Sequence, residues 1–357
     1  MKKLTDICDI QYGYAFDSEY FTEDSSYPPL VRIRDVKRGF SETHYSGEYL
    51  EEYVVHSGDL LVGMDGEFNI ARWKSIDALL NQRVCKLTVK EGTNEEYLRF
   101  AMVKSLKIIE DKTAFVTVKH LSAKELNKLE LDIPCIEEQN LRADSLSKLE
   151  KIIALREEEL SKLDDLIKAR FVEMFGDMII NPNGWERILL GEVCDVRDGT
   201  HDSPKYFSEG YPLVTSKNVT GGKIDFADCN LICKEDYNKI NQRSKVDMGD
   251  ILMPMIGTVG NPVIVDIEAE FAIKNVSLIK FKEDSKVSNS FVKALLESDY
   301  FDRTVISKVR GGTQKFISLG DIRKLEICLP PIELQNQFAD FVRATDKSKF
   351  VEITALP

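Results

Sequence analysis

The sequence predicts an α+β fold in which two similar modules are joined by a long coiled-coil-type helix, and three observations carry that prediction. Residues 139–175 contain neither Pro nor Gly, and Leu149, Ile153, Leu160, Leu163, Ile167 and Met174 recur there at steps of three, four and seven. That spacing gathers apolar side chains into one seam of a single helix. The segments before and after this stretch are mixtures of short strand-like runs, turns and helical pieces. The later segment repeats the earlier one block by block, so one folding pattern is used twice.

At 357 residues, with 43% hydrophobic and 30% charged residues, the chain is long enough for two cores and has the composition of a globular protein. No apolar run approaches the roughly 18 residues a bilayer span needs. Met1, Lys2 and Lys3 are followed by Asp6 and Asp9 instead of a signal-peptide core, so a cytoplasmic protein with no membrane partner is expected. The cysteines (Cys8, Cys85, Cys135, Cys194, Cys229, Cys233 and Cys328) are scattered, and most are expected to be buried thiols. Only Cys229 and Cys233 are close, and no second Cys or His pair accompanies them, so neither a metal site nor a cofactor is expected.

The net charge of −12 disfavours a broadly basic nucleic-acid surface. The acid excess is spread along the chain, however, and local clusters run the other way. Arg32, Arg34, Lys37 and Arg38 surround Asp35, and Arg303, Lys308, Arg310, Lys315, Arg323 and Lys324 form a second basic run. Such clusters are either DNA-facing stripes or solvated faces.

In order, residues 1–136 form the first module. Strand-like runs LTDICDIQYG, PPLVRIRDV, SGDLLVGM and LLNQRVCKLTV precede a helix over about residues 94–109, capped by Thr93 or Asn94. Residues 114–121, a short segment 122–126 and the alternation LELDIP, closed by Pro134, complete the module. Residues 137–177 are the spacer helix, roughly 55 Å long at about 1.5 Å per residue. It ends where Gly176 and the run Asn181-Pro182-Asn183-Gly184 forbid continuation. Residues 178–330 form the second module, in which Cys194, Asp195 and Gly199 answer Cys8, Asp9 and Gly13. PLVTSKNV answers PLVRIRDV, and MGDILMPM answers SGDLLVGM. The closest match sets LSAKELNKLELDIPCIEEQN against ISLGDIRKLEICLPPIELQN, with nine positions identical, Gln139/Gln335 among them. Residues 331–357 begin an equivalent second helix through Phe338, Phe341 and Val342, shorter than the first and apparently truncated.

Between the shared blocks the copies differ in chemistry. Arg32, Arg34 and Asp35 correspond to Thr215, Lys217 and Asn218. Arg grips guanine bidentately, Asn grips adenine, and Thr contacts either, so two readers of different sequences produce this pattern. A duplicated scaffold with drifted loops produces it too, and at this level both readings stand.

Two repeats that each end in a closure leading into a long helix resemble the specificity subunit of Type I restriction-modification systems. The blocks that carry the resemblance are IPCIEEQN and LPPIELQN, the helix end RFVEMFGD, the run DGTHDSPKYFSEGYPLVTSKNV, and then GDILMPMIGTVGNPVIV and FAIKNVSL. The resemblance implies a non-catalytic reader of double-stranded DNA with two target-recognition domains, each reading half of a bipartite target. It also implies that the helices set the gap and dock methyltransferase subunits, which methylate adenine in each half-site, and through them a restriction/translocase subunit. Lengthening the strut by a turn is then expected to change the spacing of the target and not its identity.

Candidate DNA contacts in the first module are Tyr12, Arg32, Arg34 and Arg38. Those in the second are Thr200, His201, Ser203 and Lys205 in one loop, with Thr215, Lys217 and Asn218 in the next. Arg310, Gln314 and Lys315 join them, because the paired glycines beside them let backbone N–H groups approach a phosphate. The short C-terminal helix is expected to leave Leu160, Leu163, Ile167 and Met174 without full cover, which a methyltransferase subunit or a second copy of the chain would supply. The alternatives are a truncated or silent chain from a recombining cassette and, from another class, a stand-alone DNA methyltransferase. Against the latter, Asn181-Pro182-Asn183-Gly184 lacks the second Pro and the aromatic residue of an adenine-receiving loop, so no active site is expected.

Overall fold

Short runs of aliphatic residues build a four-stranded antiparallel sheet twice in this chain. The structure is a computed structural model that describes residues 1–112, 119–256, 259–268, 270–308 and 316–351. It divides into two units, Met1–Arg156 and Glu157–Pro357.

The first unit contains β1 (Cys8–Tyr12), β2 (Leu30–Val31), α1 (Ile33–Arg38), β3 (Leu60–Gly63), β4 (Asn69–Arg72), β5 (Ala78–Leu80), β6 (Val84–Val89), α2 (Glu95–Lys112) and the first part of α3 (Ile136–Phe175). Its main sheet has the order β1-β6-β3-β4, with Leu87 opposite both Ile10 and Leu60, while β2 runs parallel to β5. Leu98, Met102 and Leu106 recur every four residues, so they form the stripe with which α2 covers Leu60, Val62 and Leu87.

The second unit contains β7 (Asp195–Asp198), β8 (Tyr211–Val214), α4 (Lys234–Ser244), β9 (Ile251–Pro254), β10 (Val263–Ile264), β11 (Ala272–Ile273), β12 (Val276–Lys280), α5 (Asn289–Leu296) and α6 (Ile332–Val351), with the remainder of α3. Its sheet has the order β7-β12-β9-β10, and β8 runs parallel to β11, so order and sense repeat those of the first unit.

The blocks that match in sequence are those the frame cannot vary. At Gly13 and Gly199 a Cβ would stand 2.1 Å from the carbonyl oxygens of Asn81 and Ile273, so a side chain at either position drives two backbone segments apart. Gly199→Ala is expected to destabilise the second unit by about 1–3 kcal/mol, measured by urea unfolding. Asp59 and Asp250 accept the N–H groups of His56 and Asp247, each at 2.8 Å, and so close the turn ahead of β3 and β9. Each also pairs with a lysine of the neighbouring strand, Lys86 at 2.8 Å and Lys280 at 2.5 Å. Ser122 and Ser318 cap equivalent short helices, accepting the N–H groups of Glu125 and Asp321, each at 3.2 Å. Gln139 and Gln335 are both buried and tie the start of α3 to the start of α2, and the start of α6 to that of α5.

Three local features differ from the reading of the sequence. The alternating run after Pro29 leaves the strand at Val31 and turns into α1, because Asp35 accepts the Arg32 N–H at 3.0 Å and closes a helical turn that Gly39, at φ 77°, later ends. The long helix begins at Ile136, and α2 runs on to Lys112. Of the cysteines, Cys8, Cys85, Cys194 and Cys328 are buried, and burial pushes the Cys8 and Cys194 thiols up to about 12. Cys229 and Cys233 are half-buried and Cys135 is exposed.

Within the second unit α6 runs antiparallel to α3. Phe338 packs 5.4 Å from Phe175, ring centre to ring centre, and further along Lys349 donates to Asp164 at 2.6 Å. Of the predicted seam, Leu160, Leu163, Ile167 and Met174 are thereby half-buried, and Ile167 and Met174 reach the core of this unit. The seam residues left exposed are Leu149 and Ile153, together with their neighbours Ile152 and Leu155.

Candidate nucleic-acid interface

In the second unit the close approach at Gly199 sets the site. With no Cβ between them, the chain leaving β7 lies against the turn after β11, and Thr200 pairs with Lys274. The loop that follows is fastened to that turn. Lys274 Nζ donates to Ser203 Oγ at 2.7 Å, His201 Nδ1 lies 2.8 Å from Asn275 Oδ1, and Thr200 Oγ1 accepts the Asp202 N–H at 3.1 Å. His201 Nε2 lies 2.8 Å from Oδ2 of the buried Asp198, whose other oxygen takes Arg243 of α4. Hydrogen bonds to Asn275 and Asp198 hold the imidazole above its ordinary pKa.

The next loop joins through the same turn, because Ser216 Oγ donates to the Asn275 carbonyl at 3.3 Å. Here Asn218 is buried, and its Oδ1 accepts both the N–H and the hydroxyl of Thr215, at 3.0 and 2.8 Å. Thr215 and Asn218 therefore close a turn, and the Asn218 oxygen is not free to face a base. Lys217 between them is exposed, as is Lys205, and neither has an ion-pair partner among the described residues. The structure thus brings Thr200, His201 and Ser203 to the turn carrying Thr215, Lys217 and Asn218, by way of Lys274 and Asn275.

The first unit builds the same turn with other side chains. Asp35, fully buried, accepts the Arg32 N–H as Asn218 accepts that of Thr215, and the guanidinium groups of Arg34 and Arg38 each lie 3.7 Å from its second oxygen. Arg34 also donates to Thr43 Oγ1 at 3.3 Å. Arg38 pairs with Glu42 at 3.1 Å and sits 4.3 Å over the Phe40 ring. Arg32 is exposed, with no partner for its guanidinium among the described residues. Tyr12 is placed differently from these arginines. It packs on the main apolar cluster of the unit, donates its hydroxyl to Asn127 Oδ1 at 2.8 Å, and is pushed up to about 12 by burial. Arg310, Gln314 and Lys315 lie outside the described residues.

Sequence reasoning missed Asp198, Arg243, Lys274 and Asn275. Only the Gly13/Gly199 match points to them, since it marks where β7 and the turn after β11 must touch. Among the described residues there is no group of three metal-ligand side chains, and no helix is long and apolar enough to cross a membrane.

Comparison with known proteins agrees with the duplicated architecture. A family model described as Type I restriction modification DNA specificity domain matches residues 1–165 and again residues 182–355. The chain is 28% identical over 362 residues to the Type I restriction enzyme EcoBI specificity subunit of Escherichia coli, covering 94% of this chain and 76% of that protein. It is 23% identical over 316 residues to the Type I restriction enzyme MjaVIII specificity subunit of Methanocaldococcus jannaschii, covering 83% and 74%. Its fold is similar to the crystal structure of a Type I restriction-modification system S subunit from M. genitalium, with a TM-score of 0.54 and 16% identity over 98% of this chain and 89% of that one. With a sheet, a turn and a closing helix each built twice, and with the family's model matching once in each half, the chain belongs to the Type I restriction-modification DNA specificity family.

Proposed function

We propose that this chain is the sequence-reading, non-catalytic subunit of a Type I restriction-modification complex, in which each unit reads one half of a bipartite double-stranded DNA target. The observation that carries this reading is the turn closed by Asp35 in one unit and by Asn218 in the other. One backbone frame presents Arg32 and Arg34 at one site and Lys217 at the other, so two sites of the same kind address different sequences. The exposed stripe of Leu149, Ile152, Ile153 and Leu155 on α3 suits docking of a methyltransferase subunit, which would flip and methylate the adenine, with a restriction/translocase subunit joining through it. A cytoplasmic location fits these partners.

Methylome sequencing of cells carrying this chain with methyltransferase and restriction subunits tests the reading. A bipartite methylated motif absent from cells without the chain is the expected result, and an unchanged methylome would refute it. Arg32→Ala and Lys217→Ala are each expected to weaken binding at one half-site only, by about 1–3 kcal/mol, in fluorescence-anisotropy titrations with each half scrambled in turn. Equal weakening on all DNA would make them phosphate contacts without a role in sequence choice.

A further inference from the structure

One carboxylate in the second unit holds two exposed cations at the end of β7, an arrangement that the first unit does not repeat at the matching position. The Asp198 side chain is 7% exposed, whereas those of His201 and Arg243 are 63% and 65% exposed. Asp198 lies at the end of β7, immediately before the glycine that lets the loop approach β11, so its position is set by the sheet. The imidazole is held from both sides, Nε2 by Asp198 Oδ2 and Nδ1 by Asn275 Oδ1. Both ring nitrogens face oxygen acceptors, and only the imidazolium donates from both. Asn275 is fixed in turn by a left-handed φ of 55° and by its N–H donating to the Thr200 carbonyl at 3.2 Å. The charged groups around the ring are Asp198 from β7, Arg243 from α4, Lys274 from the turn after β11, and Asp202 next in the loop. At the position matching Asp198 the first unit has Tyr12, whose hydroxyl is turned to Asn127.

We propose that Asp198 is a positioning residue for DNA binding by the second unit, holding the His201 imidazolium and the Arg243 guanidinium side by side where both face phosphodiester oxygens, Arg243 as a donor and His201 as a fixed charge. The proposal rests on the DNA-reading role set out above. Arg243 keeps guanidinium N–H groups free to donate to phosphate, whereas the imidazolium, with both of its N–H groups engaged by Asp198 and Asn275, acts on phosphate through its charge alone. A buried carboxylate that fixes them beforehand removes part of the ordering cost of binding. Two negative charges, Asp198 and Asp202, against His201, Arg243 and the adjoining Lys274 leave the patch positive on a chain whose net charge is −12.

The sign of the pH effect follows. Hydrogen bonds to Asn275 and Asp198 raise the His201 pKa, so the pair is fully charged below the ordinary imidazole value. The charge is lost as pH rises through the raised value.

The test uses the full chain in its complex with methyltransferase subunits and a duplex carrying the motif found by methylome sequencing, titrated from about pH 6 to about pH 8.5. Affinity is expected to fall about three- to tenfold across that range, as one positive charge beside the phosphates is lost. The fall should persist whichever half-site is scrambled, because a phosphate contact carries no sequence information. His201→Gln, on an exposed loop, should bind at the weaker level throughout with a flat profile. Asp198→Asn should weaken binding and flatten the profile, and Asp198→Glu should recover part of both. A flat wild-type profile, or a slope unchanged by His201→Gln, would overturn the proposal while leaving the DNA-reading role intact. A complex with no sequence preference at any pH would overturn both.

Discussion

Phe175→Ala is expected to lower the stability of the second unit by about 3–5 kcal/mol, the cost of emptying a ring-sized volume from a packed core. The ring is 1% exposed and is enclosed by four others, with centroid distances of 5.0 Å to Phe171, 5.0 Å to Phe291, 5.4 Å to Phe338 and 6.1 Å to Trp185. Those partners come from α3 itself, α5, α6 and the segment after α3, so no single element can move to fill the space. Aromatic pairs at these separations add to the burial term. Urea unfolding of the full chain, followed by tryptophan fluorescence from Trp185, measures the change. Because Trp73 lies in the core of the first unit, the comparison is made in a Trp73→Phe background, where Trp185, which touches the vacated ring, reports on this unit. A loss below about 1 kcal/mol would mean that the core re-closes, contrary to the close packing of protein interiors.

Gln335→Leu is expected to cost ~3 kcal/mol or more, although the replacement nearly conserves volume. The amide is fully buried and serves three backbone groups, accepting the Ser288 N–H at 2.8 Å and donating to the carbonyls of Lys286 and Pro330 at 3.0 and 2.9 Å. Leucine fills the site and satisfies none of them. Each buried group left without a partner costs about 1–3 kcal/mol. Gln139 makes the same set of bonds in the first unit, to the Asn94 N–H and to the carbonyls of Gly92 and Pro134. Gln139→Leu is therefore expected to destabilise that unit by a similar amount. Two separate unfolding transitions, each shifted by its own variant, would check both together. If neither variant lowers its transition, water replaces the amide and the clamp is dispensable.

The parts of this fold visible in the sequence are those where a residue's identity follows from a local requirement. The seam of α3 could be read because its apolar spacing is set by helix geometry. The duplication could be read because Gly13 and Gly199, Asp59 and Asp250, and Gln139 and Gln335 meet steric or hydrogen-bonding demands that admit few alternatives. The run around Arg32 misled because its apolar alternation fits a strand. The outcome was decided by one carboxylate, Asp35, bonding back three residues to start a helix. The site was less visible. Arg243 lies 45 positions from Asp198, and Asn275 lies 74 from His201, so only the folded sheet brings them together. Thr215 and Asn218 carry the chemistry of base readers, yet in the fold they satisfy one another.

That turn has an evolutionary consequence. Either an acid or an amide can close it, since closure needs only one side-chain oxygen and a backbone N–H, and Asp35 and Asn218 demonstrate both solutions. Lys217, exposed and without an ion-pair partner among the described residues, takes no part in closing it, so mutation there leaves the scaffold intact, whereas Arg34 lies 3.7 Å from the buried Asp35 carboxylate. On the proposed role of Lys217 as a DNA contact, a lineage drifts from one target sequence to another by substitution at that position, with no unfolded intermediate for selection to remove.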